Sequence, residues 1–131
     1  MQFKDDSVKA EWVDPQISPR LRQVMMETDA YCKSKGYPEL IVTDLLTTPK
    51  EHIHMDGSQH LYGEAADLRA HNGYYTTEQL FDIEDFVIRN HWRKDVAACG
   101  RQLRAFYVEG SGNSFHIHLS VDRKKKEASD G

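Results

Sequence analysis

An α+β fold, with helices packed on one side of a small, mainly antiparallel sheet, is predicted by three features of this sequence. The first is a helical stripe between Arg20 and Lys35, where Leu21, Val24, Met25, Thr28 and Tyr31 or Cys32 recur on one face. The second is a compact β-branched run, Leu40-Ile41-Val42-Thr43. The third is a strict period of two near the end of the chain: Phe115, Ile117, Leu119 and Val121 alternate with His116, His118, Ser120 and Asp122. One face of that strand belongs to the core; the other carries both imidazoles.

The elements follow in order. Met1 to Asp14 reads as an entry segment whose Trp12 and Val13 pack onto the body. Ser18-Pro19 supplies an N-cap and a proline at the first helical position, and Gly36 stops the helix that follows. Pro38 precedes the buried strand, Pro49 to Gly57 forms a polar loop, and Glu64 to Arg69 is a second strand. Thr76 or Thr77 caps a helix reaching about Trp92, with Leu80, Ile83, Val87 and His91 facing inward. A hairpin of Gln102 to Gly110 against Phe115 to Val121, closed by Ser111 to Ser114, completes the domain. In that register Gly110 pairs with Phe115, Glu109 with His116 and Tyr107 with His118. Paired residues share a face, so Tyr107 and Glu109 are expected beside the histidines, with Phe106 and Val108 on the core side.

A chain of 131 residues is expected to form a single domain spanning 1–131, with 1–14 as entry and 123–131 as a charged tail. Its net charge of −4 argues against nucleic acid as a partner, because phosphate binding relies on clustered basic residues. The one basic run, Arg123-Lys124-Lys125-Lys126, lies on the tail and reads as a solvated end. No apolar run approaches membrane-spanning length, and a monomer without a membrane partner is expected. Met1-Gln2-Phe3-Lys4-Asp5-Asp6-Ser7 lacks the apolar stretch of a secretory signal, which implies synthesis in the cytoplasm. Action on a cell wall would then need lysis or a separate export route. Cys32 and Cys99 have no metal-type spacing and are expected to be reduced and buried.

Chemistry concentrates in two places. Ser58-Gln59-His60-Leu61-Tyr62-Gly63-Glu64-Ala65-Ala66-Asp67 and Phe115-His116-Ile117-His118-Leu119 together read as a divided three-ligand metal site. A catalytic zinc needs three imidazole or carboxylate ligands and an open fourth position; His60, Asp67 and His118 supply such a set. Gly63 lets the chain turn between His60 and Asp67. His52 and His54 repeat the His-x-His spacing without strand alternation and are assigned to a loop at the rim, while His71 and His91 receive no role.

Ser-x-His-x-x-Gly-x-Ala-x-Asp followed by His-x-His resembles the zinc D,D-carboxypeptidase and L,D-endopeptidase family, which shares its fold with the Hedgehog signalling domain. The resemblance covers roughly Leu40 to Val121. It implies a zinc ion held by His60, Asp67 and His118, His116 lining the site, and a carboxylate shortly before the His-x-His as general base. It also implies peptidoglycan stem or cross-bridge peptides containing D-amino acids as substrate; small size and the missing export signal are compatible with a phage-type or cytoplasmically stored lytic enzyme.

Two departures stand out. The nearest acidic residue upstream of the histidines is Glu109, separated from His116 by Gly110-Ser111-Gly112-Asn113-Ser114-Phe115, and only the hairpin register returns it to the site. After the Leu40 to Leu45 strand, where the family often carries a carboxylate-binding arginine, this chain has Thr47-Thr48-Pro49-Lys50. Lys50 and Arg69 are available as substitutes, and the sequence places neither. The expected activity is zinc-assisted peptide hydrolysis with Glu109 as base and His116 as oxyanion donor. The rival from another class is a zinc-binding interaction module of the same fold without turnover; a virion scaffold ranks last.

Overall fold

The computed structural model describes residues 1–45, 65–91, 106–112 and 115–121. Strands β1 (Gln2–Phe3), β2 (Ile41–Asp44), β3 (Ala65–Arg69), β4 (Phe106–Glu109) and β5 (His116–Ser120) form one mixed sheet in the order β1-β2-β3-β5-β4. Among the described residues β1 pairs with β2 in parallel, and the β2–β3, β3–β5 and β4–β5 pairings are antiparallel. Helices α1 (Asp6–Trp12), α2 (Pro19–Ser34) and α3 (Thr77–His91) accompany it. The α+β class is therefore observed.

Local chemistry explains the helix ends. The Ser18 hydroxyl accepts from the Leu21 N–H at 3.3 Å, with Pro19 directly behind it. At the other end Gly36 takes φ +75°, and the Gly36 and Tyr37 N–H groups return to the Lys33 and Cys32 carbonyls. That pair of hydrogen bonds is a Schellman stop, which requires the left-handed conformation glycine tolerates. Thr76 and Gln79 cap α3 reciprocally, each side chain accepting from the other's backbone N–H.

The entry segment is more structured than the sequence suggests. Asp5 caps α1 by accepting from the Val8 N–H, and Gln2 and Phe3 pair with Ile41 and Val42. Trp12 packs on the core and contacts the Phe3 ring at 5.8 Å, whereas Val13 is 72% exposed and does not pack as expected. It lies just past the end of a seven-residue helix that buries only Val8.

Helices α1, α2 and α3 cover one face of the sheet. Val8 of α1, Leu21, Val24, Met25 and Cys32 of α2, and Ile83 and Val87 of α3 bury themselves with Val42, Ala66, Leu68, Ile117 and Leu119. Tyr31 and Tyr37 both donate to the Asp82 carboxylate, and Tyr31 stacks on Phe86 at 4.2 Å, fastening α2 to α3. Among the described residues no helix is long and apolar enough to cross a membrane.

Asp29 is a polar member of the α2 face that the hydrophobic stripe does not reveal. Its carboxylate accepts from the Leu40 N–H at 3.0 Å and meets the Met1 ammonium and Lys33. Burial pushes its pKa up, but these bonds outweigh burial and hold it below the ordinary value of 3.8. A depressed folded value means the stabilisation is present above the unfolded pKa and lost as pH falls through the folded one. Asp29→Asn should lower stability at pH 7 by roughly 2 kcal/mol and flatten the loss of Tm below about pH 4, as followed by thermal unfolding across pH. Unchanged acid sensitivity would remove Asp29 from that role.

Cys32 is a buried free thiol, as expected, pushed up to about 11 by burial and then by the Asp29 charge. Alkylation at pH 8 followed by peptide mass spectrometry should leave Cys32 unmodified in the native protein and modify it once unfolded.

Candidate metal centre

The site is built by three antiparallel strands whose register places like faces together. β3 pairs with β5 through Ala65↔Ser120, Asp67↔His118 and Arg69↔His116. β4 pairs with β5 through Tyr107↔His118 and Glu109↔His116, the register expected from the hairpin. Ala66, Leu68, Ile117 and Leu119 point to the helices and are fully buried, so Asp67, Arg69, His116 and His118 occupy the opposite face.

On that face Asp67 is the hub. Its Oδ1 lies 3.3 Å from His118 Nδ1 and 3.7 Å from His116 Nε2. The 3.3 Å separation is longer than a charge-assisted hydrogen bond of about 2.7–2.9 Å. It equals the edge of a tetrahedron with metal–ligand bonds of about 2.0–2.1 Å. The carboxylate of Asp67 and the imidazole of His118 at such spacing suit two ligand positions of a zinc site in donor type and in separation. Asp67 and His118 are thus brought together with His116 close by, whereas His60, the remaining expected ligand, lies outside the described residues. Among the described residues no group of three His, Cys, Asp or Glu side chains is already arranged around a metal position.

Exposure is graded across the face. Ala65 and Ser120 are buried, the Asp67 and His118 side chains are 13% and 11% exposed, and His116 is 25% exposed. The face therefore opens toward His116, next to the exposed turn at Gly110-Ser111-Gly112. Gly110 takes φ +84°, where a side chain would be strained. Glu109 enters the open row by its pairing with His116.

Two residues join the face that the motifs leave out. Between Val42↔Leu68 and Asp44↔Asp67 the β2–β3 register shifts by one residue, a bulge that sets Asp44 beside Asp67. The Thr43 hydroxyl, at the bulge, donates to the Asp67 carbonyl at 3.2 Å and ties down the strand carrying the hub. Nothing in the local sequence marks that bulge. Arg69, which the sequence did not place, pairs with His116 and so shares the face of Asp67.

Val108 corrects one expectation. It is 41% exposed instead of buried with Ile117 and Leu119, because β4 ends the strand order and its neighbours cover it from one side only. The loop 49–57 with His52 and His54, Lys50, Trp92, Cys99, residues 102–105 of the predicted hairpin and the basic tail lie outside the described residues, as do the side chains of His91, Phe106, Tyr107 and Glu109. His71 begins a short 3-10 turn after β3 and takes no part in the cluster.

No family model, no curated protein and no solved structure matches this chain.

Asp67→Ala should abolish stoichiometric zinc binding in equilibrium dialysis while the protein remains folded, since it removes the residue both imidazoles approach. Full retention of zinc by that variant would overturn the ligand assignment.

Proposed function

We propose that this chain is a zinc-dependent peptidase of the Hedgehog/DD-peptidase fold that hydrolyses D-amino-acid-containing peptides of peptidoglycan. The observation that carries it is the convergence of His118 and His116 on one oxygen of Asp67. The succession β2, the motif segment ending in β3, α3, β4 and β5 supports the reading, since the resemblance implies the order strand, motif, helix, strand, strand.

The residues that would hold the metal are Asp67 and His118 with His60 from the Ser58–Asp67 motif. Zinc, when bound, supplies an acidified water of pKa about 7 and polarisation of the scissile carbonyl. The chain's own groups then divide the proton work. Glu109, set opposite His116 by the hairpin, takes the proton from the attacking water and delivers it to the departing amine. His116, at the open edge of the cluster, donates a hydrogen bond to the developing oxyanion. Asp67 holds both imidazoles in place, and the low exposure of Asp67 and His118 strengthens these interactions by keeping bulk water away.

The alternative, a zinc-binding interaction module without turnover, is favoured by the long interval between Glu109 and His116. Purified peptidoglycan incubated with the zinc-loaded protein separates the two. Chelator-sensitive appearance of new amino termini is expected; zinc binding without release from several wall chemistries would favour the module. Glu109→Gln should leave zinc stoichiometry intact and lower the hydrolysis rate about 10²–10⁴-fold. An unchanged rate would move the base to another carboxylate.

A further inference from the structure

Helix α3 carries two large apolar side chains that the core does not use: Phe81 is 65% exposed and Ile88 is 42% exposed. Seven residues apart in sequence, they stand about two turns apart and form one stripe about 10 Å long. The helix cannot rotate to hide them. Tyr31 and Tyr37 donate to Asp82 and Tyr31 stacks on Phe86, which holds that side of α3 against α2, while Ile83 and Val87 are buried in the core. At about 100° per residue the stripe lies roughly 130° around the helix from each of those two sides. It therefore faces outward, on the flank away from α2. α3 rests on β4, and Val108, itself exposed, belongs to the helix side of that strand because it pairs with buried Ile117. A single exposed apolar residue is ordinary, whereas several grouped on one fixed element mark an interaction surface.

Acidic groups border the stripe. Around the helix Asp85 and Glu78 follow on one side and Glu84 on the other, and Arg89 is the one arginine or lysine of α3. Arg89 pairs with Asp85 at 2.8 Å, but both side chains are mostly exposed. Such a pair contributes little and leaves the acids in excess.

We infer that α3 is a docking surface for a basic amphipathic helix of a partner protein. Apolar side chains of that helix cover Phe81 and Ile88, and its lysines or arginines meet Glu78, Glu84 and Asp85. A second copy of this chain is a poorer fit. Twofold pairing of α3 on itself brings Phe81 to Ile88 but sets Glu84 against Asp85 of the copy, and like charges so placed repel. The helices and the row of Asp67, His116 and His118 lie on opposite faces of the sheet, so a partner on α3 leaves that row open. Docking here needs no peptidase activity.

Isothermal titration of the full chain with three amidated peptides tests the surface: leucine and lysine at amphipathic helical spacing, leucine and glutamate at the same spacing, and serine and lysine with the same charge as the first. The leucine–lysine peptide should bind, with an affinity that falls as salt rises, and the other two should bind at least about 10-fold more weakly. Phe81→Ser and Asp85→Lys should each weaken the leucine–lysine peptide about 10-fold. Met26→Ser, at a 58% exposed position on α2, should leave its affinity unchanged. All three replaced side chains are exposed, and unfolding curves check that each variant is folded. Absent binding of the leucine–lysine peptide, equal binding of the leucine–glutamate peptide, wild-type affinity in Phe81→Ser, or an equal loss in Met26→Ser would overturn the docking surface. Concentration-dependent dimerisation in sedimentation that disappears in Phe81→Ser would also overturn it, putting a second copy in place of the basic partner.

Discussion

The register of β3 against β5 is the constraint on which the rest depends. Because side chains alternate with period two, a slip by one residue would send Leu68 and Ile117 to the outer face and bring Asp67 and His118 into the core. The penalty on both sides is large: fully buried Leu68, Ile117 and Leu119 would lose their contacts with the helices, and a carboxylate would be buried without a partner. The hydrophobic face therefore fixes the polar one. Packing by α2 and α3 is in this sense what sets the distances among Asp67, His116 and His118.

β4 extends the same logic to Glu109, the residue proposed as base. Its pairing with β5 places Glu109 beside His116 although six residues separate them in sequence, and the glycine turn at Gly110 allows the reversal. The opposite neighbour of β3 is set differently. The bulge at Thr43 places Asp44 next to Asp67, so the hub carboxylate has acid on one side and imidazole on the other. Such a neighbour adds negative charge beside the hub, which favours a cation there.

Much of this was readable from residue pattern, and the parts that were not share a cause. Strong periodicity and explicit caps located α2, α3 and the final hairpin, since Ser18-Pro19, Gly36 and the alternating run at 115–122 carry their own local signals. The hairpin register followed from loop length alone. By contrast α1 depends on a single buried residue, Val8, and β1 on two residues pairing with a strand nearly forty positions away, so neither has a pattern long enough to read. The bulge that brings Asp44 in and the exposure of Val108 are decided by neighbours in the sheet. The place of Arg69 opposite His116 and the buried state of its Nε likewise come from tertiary surroundings.

The most direct test is zinc K-edge X-ray absorption on the zinc-loaded protein. The arrangement of Asp67, His118 and the Ser58–Asp67 motif predicts a shell of nitrogen and oxygen at about 2.0–2.1 Å with scattering from two imidazoles. An all-oxygen shell lacking imidazole scattering, or sulfur at about 2.3 Å, would contradict it.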